Sequence, residues 1–152
     1  MANAQAMCTS FKGELLSATH NFSSANPAHT ASTADSFKAA LYLASGSLGA
    51  TTTAYSTTSE VSGTNYTAGG IAVTNATNPT TSGTTGYWTP SASLTYTSVT
   101  LSTAFDTVLI YNNSQSNKAV SVHTFGSQTI TAGTFTLTMP SNAAGTALIN
   151  IA

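Results

Sequence analysis

The feature that most restricts the fold is a series of short β-type apolar runs in the C-terminal half of the sequence. The run VLIYN at 108–112 is almost continuously apolar, which is typical of a strand covered on both faces. The run AVSVHTF at 119–125 alternates instead, with Val120 and Val122 on one side. The intervening stretch at 112–118 is rich in Asn and Ser and reads as a hairpin loop. This half of the chain therefore predicts β-structure.

Further strands are predicted around these two. The stretch LTYTSVTLS at 94–102 changes its apolar phase between Tyr96 and Val99, which indicates a bulge or a break into two pieces. Gly126 and Gly133 are expected to turn the chain between additional short strands, and Ile149 and Ile151 close it.

The first half of the chain adds two strands and a loop. Residues 35–43 alternate as a half-buried strand would, although their Ala and Leu content leaves a helix as the alternative. A second strand is predicted over 70–76. The polar stretch at 78–86 predicts an exposed loop.

One helix is predicted, over residues 4–16, because Met7, Phe11 and Leu15 recur at helical spacing. A polar loop follows it. The pattern as a whole predicts an all-β single domain, 1–152, built as a β-sandwich or jelly roll of about seven or eight short strands. Within it, residues 1–34 form an N-terminal helix and loop arm, and residues 35–152 form the sandwich.

Charge excludes several functions. Charged residues make up 5% of the chain, against roughly 25% in an average soluble protein. Arginine is absent, and Lys12, Lys38 and Lys118 are scattered, so we expect no nucleic-acid partner. A formal net charge of -1 and the lack of a long apolar run argue against a membrane partner. The N-terminus lacks the features of a signal peptide, which predicts synthesis in a cytoplasm where Cys8 stays reduced.

No catalytic or metal-binding pattern stands out. Serines are abundant, but there is no G-x-S-x-G sequence, and Cys8, His20 and His29 lack the paired short spacing of a zinc site. Glu14 is expected on the solvent face of the helix, and Asp35 at the start of a strand. We therefore expect a protein that is not an enzyme and needs no cofactor.

The stretch from Tyr55 to Gly70 reads as a shaped connection between apolar segments. It contains Glu60, one of only four acidic residues, together with Tyr66 and three glycines. An acid in so uncharged a chain should have fixed hydrogen-bond donors. We predict that Glu60 and Tyr66 order this connection by bonding to backbone or hydroxyl groups, within the subunit or across an interface. Tyr55, Glu60 and Tyr66 are thus candidate structural or interface residues.

Tyr87 and Trp88 complete the candidate set. With Tyr96 and neighbouring Asn and Thr residues they could form a platform on which a sugar stacks. The favoured interpretation is that Trp88 fills the core and that the tyrosines lie at its rim with hydrated hydroxyls.

Three blocks of the sequence, in this order, suggest a family. They are FKGELLSATHNF (11–22), the long block 35–70 that contains TTAYSTTSEVSG and YTAGG, and AFDTVLIYNNSQSNKAVSVHTFGSQTITAGTFTLTMP (104–140). Together they resemble small structural proteins of tailed bacteriophages, of the kind that act as capsid cement or decoration proteins.

The resemblance implies a β-sandwich or jelly-roll subunit on the outside of a phage head, made in the cytoplasm of the bacterial host. Such a subunit would bridge neighbouring major capsid proteins as a small homo-oligomer, a dimer or trimer, without a cofactor. The alternatives are a tail or neck component of the virion, and a carbohydrate-binding adhesion module that uses Tyr87 and Trp88.

Overall fold

The structure is a computed structural model that describes residues 2–23, 34–74 and 78–152. Its strands are β1 (Ala6–Met7), β2 (Phe37–Leu43), β3 (Ile71–Ala72), β4 (Thr80–Ser82), β5 (Thr85–Trp88), β6 (Leu94–Asn112), β7 (Lys118–Leu137) and β8 (Ile149–Ile151). They form two antiparallel sheets, ordered β1-β7-β6-β2-β3 and β4-β5-β8. One short helix, α1 (Thr9–Leu16), precedes β2. The predicted all-β class with a short N-terminal helix is confirmed.

Two of the strands are long, which the sequence did not predict. β6 has 19 residues and β7 has 20, and they pair with each other along most of their length. Gly126 and Gly133 lie inside β7 and do not end it. Both glycines fall where the β6–β7 register shifts, so they accompany irregularities within one strand and not turns between strands.

The predicted irregularity between Tyr96 and Val99 is confirmed. The register with β7 shifts between these two residues, and Ser98 has a left-handed φ of 53°. The apolar phase of a strand changes when one extra residue is inserted, which is how the sequence pattern revealed this bulge.

β2 lies where it was predicted, but it is covered on both faces. Ala39 and Leu41 are fully buried, and so are Ala40 and Tyr42, which alternate with them. On the second face, the Tyr55–Gly70 connection lies against β2, where the Tyr42 hydroxyl donates a hydrogen bond to the Ser56 carbonyl. The prediction that β2 is buried on one face only was therefore wrong, because it did not include the contact with this connection.

The helix is shorter than predicted. It begins at Thr9 instead of residue 4, because Ala6 and Met7 pair with β7 as strand β1. Phe11 of the helix is buried as expected, whereas Leu16 at its end is 93% exposed. Strand pairing with a distant element thus overrides the local helical pattern, which contains no information about that partner.

The stretch predicted as an exposed loop at 78–86 is exposed over residues 78–84, but it is not a loop throughout. Residues 80–82 and 85–88 form the β4–β5 hairpin, with Gly83 in the turn at a φ of 57°. Residues 75–77 lie outside the described part of the chain. The strand predicted over 70–76 is reduced to Ile71–Ala72 within the described residues.

The Tyr55–Gly70 connection and β3 cover the edge of β2 that faces away from β6. The Val61 amide donates to the Leu41 carbonyl at 3.0 Å, and the Leu43 amide donates to the Ser59 carbonyl at 2.9 Å. Further along the same edge, β3 pairs with the start of β2. The buried side chains of β2, β6 and β7 form one cluster with Phe11 and Trp88.

Substitution of Gly70 tests how tightly this connection is seated. Gly70 has a φ of +69°, and a Cβ there would lie 1.7 Å from the Ala39 carbonyl oxygen. We expect Gly70→Ala to lower the free energy of unfolding by about 3 kcal/mol or more. The matched control is Gly126→Ala, because no atom lies within 4 Å of a Cβ added there. Urea denaturation of both variants measures the difference, and equal stabilities would contradict the close packing.

Candidate functional site

The Glu60 carboxylate is the centre of the Tyr55–Gly70 connection. It accepts hydrogen bonds from the Tyr55 hydroxyl at 2.6 Å, the Tyr66 hydroxyl at 2.8 Å and the Gly69 amide at 2.7 Å. These three donors come from both ends of the connection, so one half-buried side chain closes it into a loop. The hydrogen bonds predicted for Glu60 and Tyr66, to backbone and hydroxyl groups, are present within the subunit.

Tyrosines join this loop to the sheet. The Tyr66 hydroxyl also accepts from the Leu41 amide of β2 at 3.0 Å, and the Tyr111 hydroxyl of β6 donates to the Gly69 carbonyl at 2.8 Å. Tyr55 stacks on Tyr111 with ring centroids 4.8 Å apart. Burial raises the pKa of Tyr66, with the negative charge of Glu60 adding to the effect, and raises the pKa of Tyr111 to about 12. These phenols therefore stay protonated and serve as hydrogen-bond donors.

The connection contains several residues in the left-handed region. Ser59 and Asn65 have φ values of 61° and 59°, and Gly69 and Gly70 are also positive. A non-glycine residue in this region costs free energy that the surrounding contacts must offset. Here the Glu60 bonds and the Asn65 side-chain bond to the Ser98 carbonyl at 2.8 Å provide those contacts.

Removal of the Glu60 carboxylate tests this assignment. We expect Glu60→Ala to lower the free energy of unfolding by about 3 kcal/mol, because three half-buried donors lose their acceptor. Glu60→Gln should cost less, since the amide oxygen still accepts and a tyrosine hydroxyl can accept in turn. Urea denaturation of the two variants gives the comparison. A Glu60→Ala protein as stable as Glu60→Gln would show that the carboxylate does not hold the loop.

Trp88 lies inside the core, as the favoured interpretation predicted. It is 2% exposed, and its ring centroid lies 4.8 Å from that of Phe22 and 6.0 Å from that of Phe37. Its indole therefore offers no open surface on which a sugar could stack. Tyr96 is also buried, with its hydroxyl bonded to the Ala39 carbonyl, so the expectation of a hydrated hydroxyl was wrong for this tyrosine.

Tyr87 is half-buried on the wall of an apolar groove between α1 and the three-stranded sheet. The groove has a volume of about 250 Å³, and Phe11, Leu15 and Ile151 also line it. Ile151 is one of the two large hydrophobic side chains that the described chain leaves exposed. Tyr87 and Trp88 therefore both line one groove, and they do not form a flat platform.

A second polar cluster, which the sequence did not reveal, centres on Asn112. This residue is fully buried at the end of β6. Its side-chain oxygen accepts from the amides of Ser114 and Gln115, and its side-chain nitrogen donates to His20 Nδ1 at 3.0 Å and to Asp35 at 2.7 Å. Every hydrogen-bonding position of the amide is used. Asn112 therefore joins the β6–β7 turn, the segment after α1 and the start of β2.

The hydrogen bonds of Asn112 also determine the tautomer of neutral His20. Because the Asn112 amide donates to Nδ1, the ring proton of neutral His20 lies on Nε2, which donates to Glu14 at 2.8 Å. Glu14 also pairs with Lys118 at 2.6 Å. Burial raises the pKa of Glu14, but the bonds from Lys118 and His20 outweigh it and hold the pKa below its ordinary value. The expectation that Glu14 faces solvent freely was wrong, because the loop after α1 folds back onto it.

The remaining carboxylates have similar structural contacts. Asp35 accepts from the Asn21 amide at 2.9 Å as well as from Asn112, and Asp106 accepts from the side chains of Asn3 at 2.8 Å and Thr107 at 2.7 Å. The chain has four acidic residues. Glu60 closes the Tyr55–Gly70 connection on itself, and the other three join segments that are distant in sequence. None is left as an unpartnered acid.

Among the described residues, His123 and Cys8 are held in the interior of the fold. His123 of β7 is half-buried and bonded to the Ser121 hydroxyl at 2.9 Å, and Ser121 itself is buried. Burial raises the pKa of the Cys8 thiol to about 11, which keeps it protonated. Within the described residues no three His, Cys, Asp or Glu side chains lie together as metal ligands would. His29 lies outside those residues.

Acid should destabilise the protein through His123. Burial lowers its pKa from 6.5 to about 4, so between these values the unfolded chain binds more protons than the folded one. Stability should therefore fall as the pH drops from about 6.5, by at most about 3 kcal/mol. Urea denaturation of the wild type and His123→Gln at pH 7.5 and 4.5 measures this. The variant should lose less stability on acidification, and an unchanged pH dependence would contradict the assignment.

Comparisons with known proteins identify no relative. No protein-family model matches the chain, and no curated protein and no solved structure matches it significantly. The helix α1 has 8 residues, and in the described part of the chain no helix combines the length and apolarity needed to cross a membrane.

Proposed function

We propose that this chain is a non-enzymatic structural protein of a tailed bacteriophage that binds the outside of the head and bridges neighbouring major capsid proteins. The proposal starts from the sequence blocks that resemble capsid cement and decoration proteins. The structural observation that supports it most is that all four carboxylates are hydrogen-bonded within the fold. All four hold the fold together, as Glu60 does in the Tyr55–Gly70 connection, so none remains for acid–base chemistry.

The surface composition of the protein is suited to binding other proteins. Ser and Thr make up about a third of the residues, and Lys12 and Lys38 are the cations without a carboxylate partner among the described residues. A neutral, hydroxyl-rich surface binds through hydrogen bonds and apolar area, which salt screens far less than ion pairs. Contacts to several shell proteins at once would raise the total affinity through effective concentration.

The finer fold is part of the same proposal. We infer that the two sheets pack face to face as the layers of a β-sandwich or jelly roll. The support is the contact between Trp88 of the three-stranded sheet and Phe37 of the five-stranded sheet, with Phe22 against both. A subunit of this kind is rigid enough to bridge neighbours in a lattice.

Counting copies in purified particles tests the proposal. Quantitative mass spectrometry of intact virions should find this protein in a fixed, high ratio to the major capsid protein, and separated heads should retain it while separated tails do not. Heads that lack the protein should bind it when it is added back, equally well in about 0.1 and 1 M salt, because few charges take part.

Two results would contradict the assignment to the head. If the protein occurs only in tails, or in a handful of copies, the tail or neck alternative replaces it. If it is absent from virions, the structural role fails. Gly126→Ala serves as a control for the added-back protein, because it should leave the fold and the binding unchanged.

A further inference from the structure

Segments of the chain cover much of the edge of the five-stranded sheet, but a long stretch of β7 has a neighbouring strand on one side only among the described residues. On one side, the Tyr55–Gly70 connection and β3 cover β2. On the other, the start of β7 is covered as far as Val122 by two segments, residue 54 and residues 6–8. Ala54 pairs with Lys118, the Cys8 amide donates to the Val120 carbonyl at 3.1 Å, and β1 pairs with residues 121–122.

From His123 onward the outer edge of β7 has no strand beside it among the described residues. All further pairing of β7 is with β6, on its inner edge. The uncovered stretch, 123–137, contains no Lys, Arg, Asp, Glu or Pro. Proteins usually protect an exposed edge from pairing with another chain by placing charged residues or proline on it. This stretch of β7 lacks that protection.

The last part of this edge is regular enough to pair. Register shifts interrupt the β6–β7 pairing from Thr124 to Phe135, and the last of them is the bulge on β6 between Tyr96 and Val99. From Phe135 to Leu137 each residue follows β6 in step. Thr134 and Thr136 are exposed, whereas Phe135 between them is buried against Phe105, with ring centroids 5.0 Å apart. The segment therefore presents threonines on its outer face and a fixed backbone at its edge.

We propose that two copies of this chain associate through this edge, with Gly133–Leu137 of each copy paired antiparallel about a two-fold axis at Phe135. The sequence of the segment, GTFTL, is self-complementary in that arrangement. Thr134 of one copy lies opposite Thr136 of the other, and threonine pairs across strands are favourable. No like charges meet, and the two five-stranded sheets become one continuous sheet. This dimer does not depend on the proposed role in a phage head.

Sedimentation of the purified full-length protein tests the proposal. The wild type should be a dimer at about 100 µM. In T134K/T136K, lysines face each other twice across the axis, and the dissociation constant should rise about tenfold or more. The matched control is T95K/T97K, which adds the same two charges at exposed positions on β6, one strand further in. The control should dimerise as the wild type does.

A charge-complementary variant tests the register. In T134K/T136E each lysine lies opposite a glutamate of the second copy, so the dissociation constant should return to within about threefold of the wild-type value. All four proteins are compared by urea denaturation to show that they fold. A wild type that is monomeric at about 100 µM, a T134K/T136K protein that dimerises normally, or a T134K/T136E protein as weak as T134K/T136K would overturn the proposal.

Discussion

A carboxylate that leaves water must be supplied with hydrogen-bond donors, and this requirement organises the structure. The Glu60 carboxylate has three donors within the Tyr55–Gly70 connection, which it closes into a loop. Asp35 accepts from the Asn21 backbone and from Asn112, so it joins segments that are distant in sequence. Four residues of the Tyr55–Gly70 connection have a positive φ, and the bonds to Glu60 help to offset the cost of that backbone. The connection in turn covers part of β2. All four carboxylates are therefore used in contacts within the fold, and few charges remain on the surface.

This division explains why a protein with so little charge can still have one definite fold. Apolar burial alone is not directional, whereas hydrogen bonds to a buried carboxylate or amide accept only one arrangement of donors. Asn112 shows the principle most clearly, because all of its hydrogen-bonding positions are occupied by partners from three segments. The neutral surface is then free to serve in contacts, which is the property that the proposed role in a virion and the proposed β7 dimer share.

The sequence predicted those features that depend on local pattern. The all-β class and β2 follow from the alternation of apolar residues, the bulge after Tyr96 from a change in its phase, and the buried end of β6 from a continuous apolar run. The hydrogen bonds of Glu60 were expected because acids are rare in this chain. The errors arose where distant partners decide. β1 forms because β7 lies beside it, and β7 continues through Gly126 because β6 pairs on either side of that residue. The polar cluster around Asn112 was not predicted either, since its members are separated by up to 92 residues and carry no common spacing.

The position of Trp88 has a consequence for spectroscopy. It is the one tryptophan of the chain, and it touches Phe22 of the segment after α1 and Phe37 of β2. Its fluorescence therefore reports on the junction between the N-terminal segment and the two sheets, while the tyrosines on and around the Tyr55–Gly70 connection absorb without emitting at the same wavelength. Loosening of that junction would be visible as a shift of the emission maximum before the long β6–β7 pair unfolds, so the native chain carries its own optical probe of partial opening.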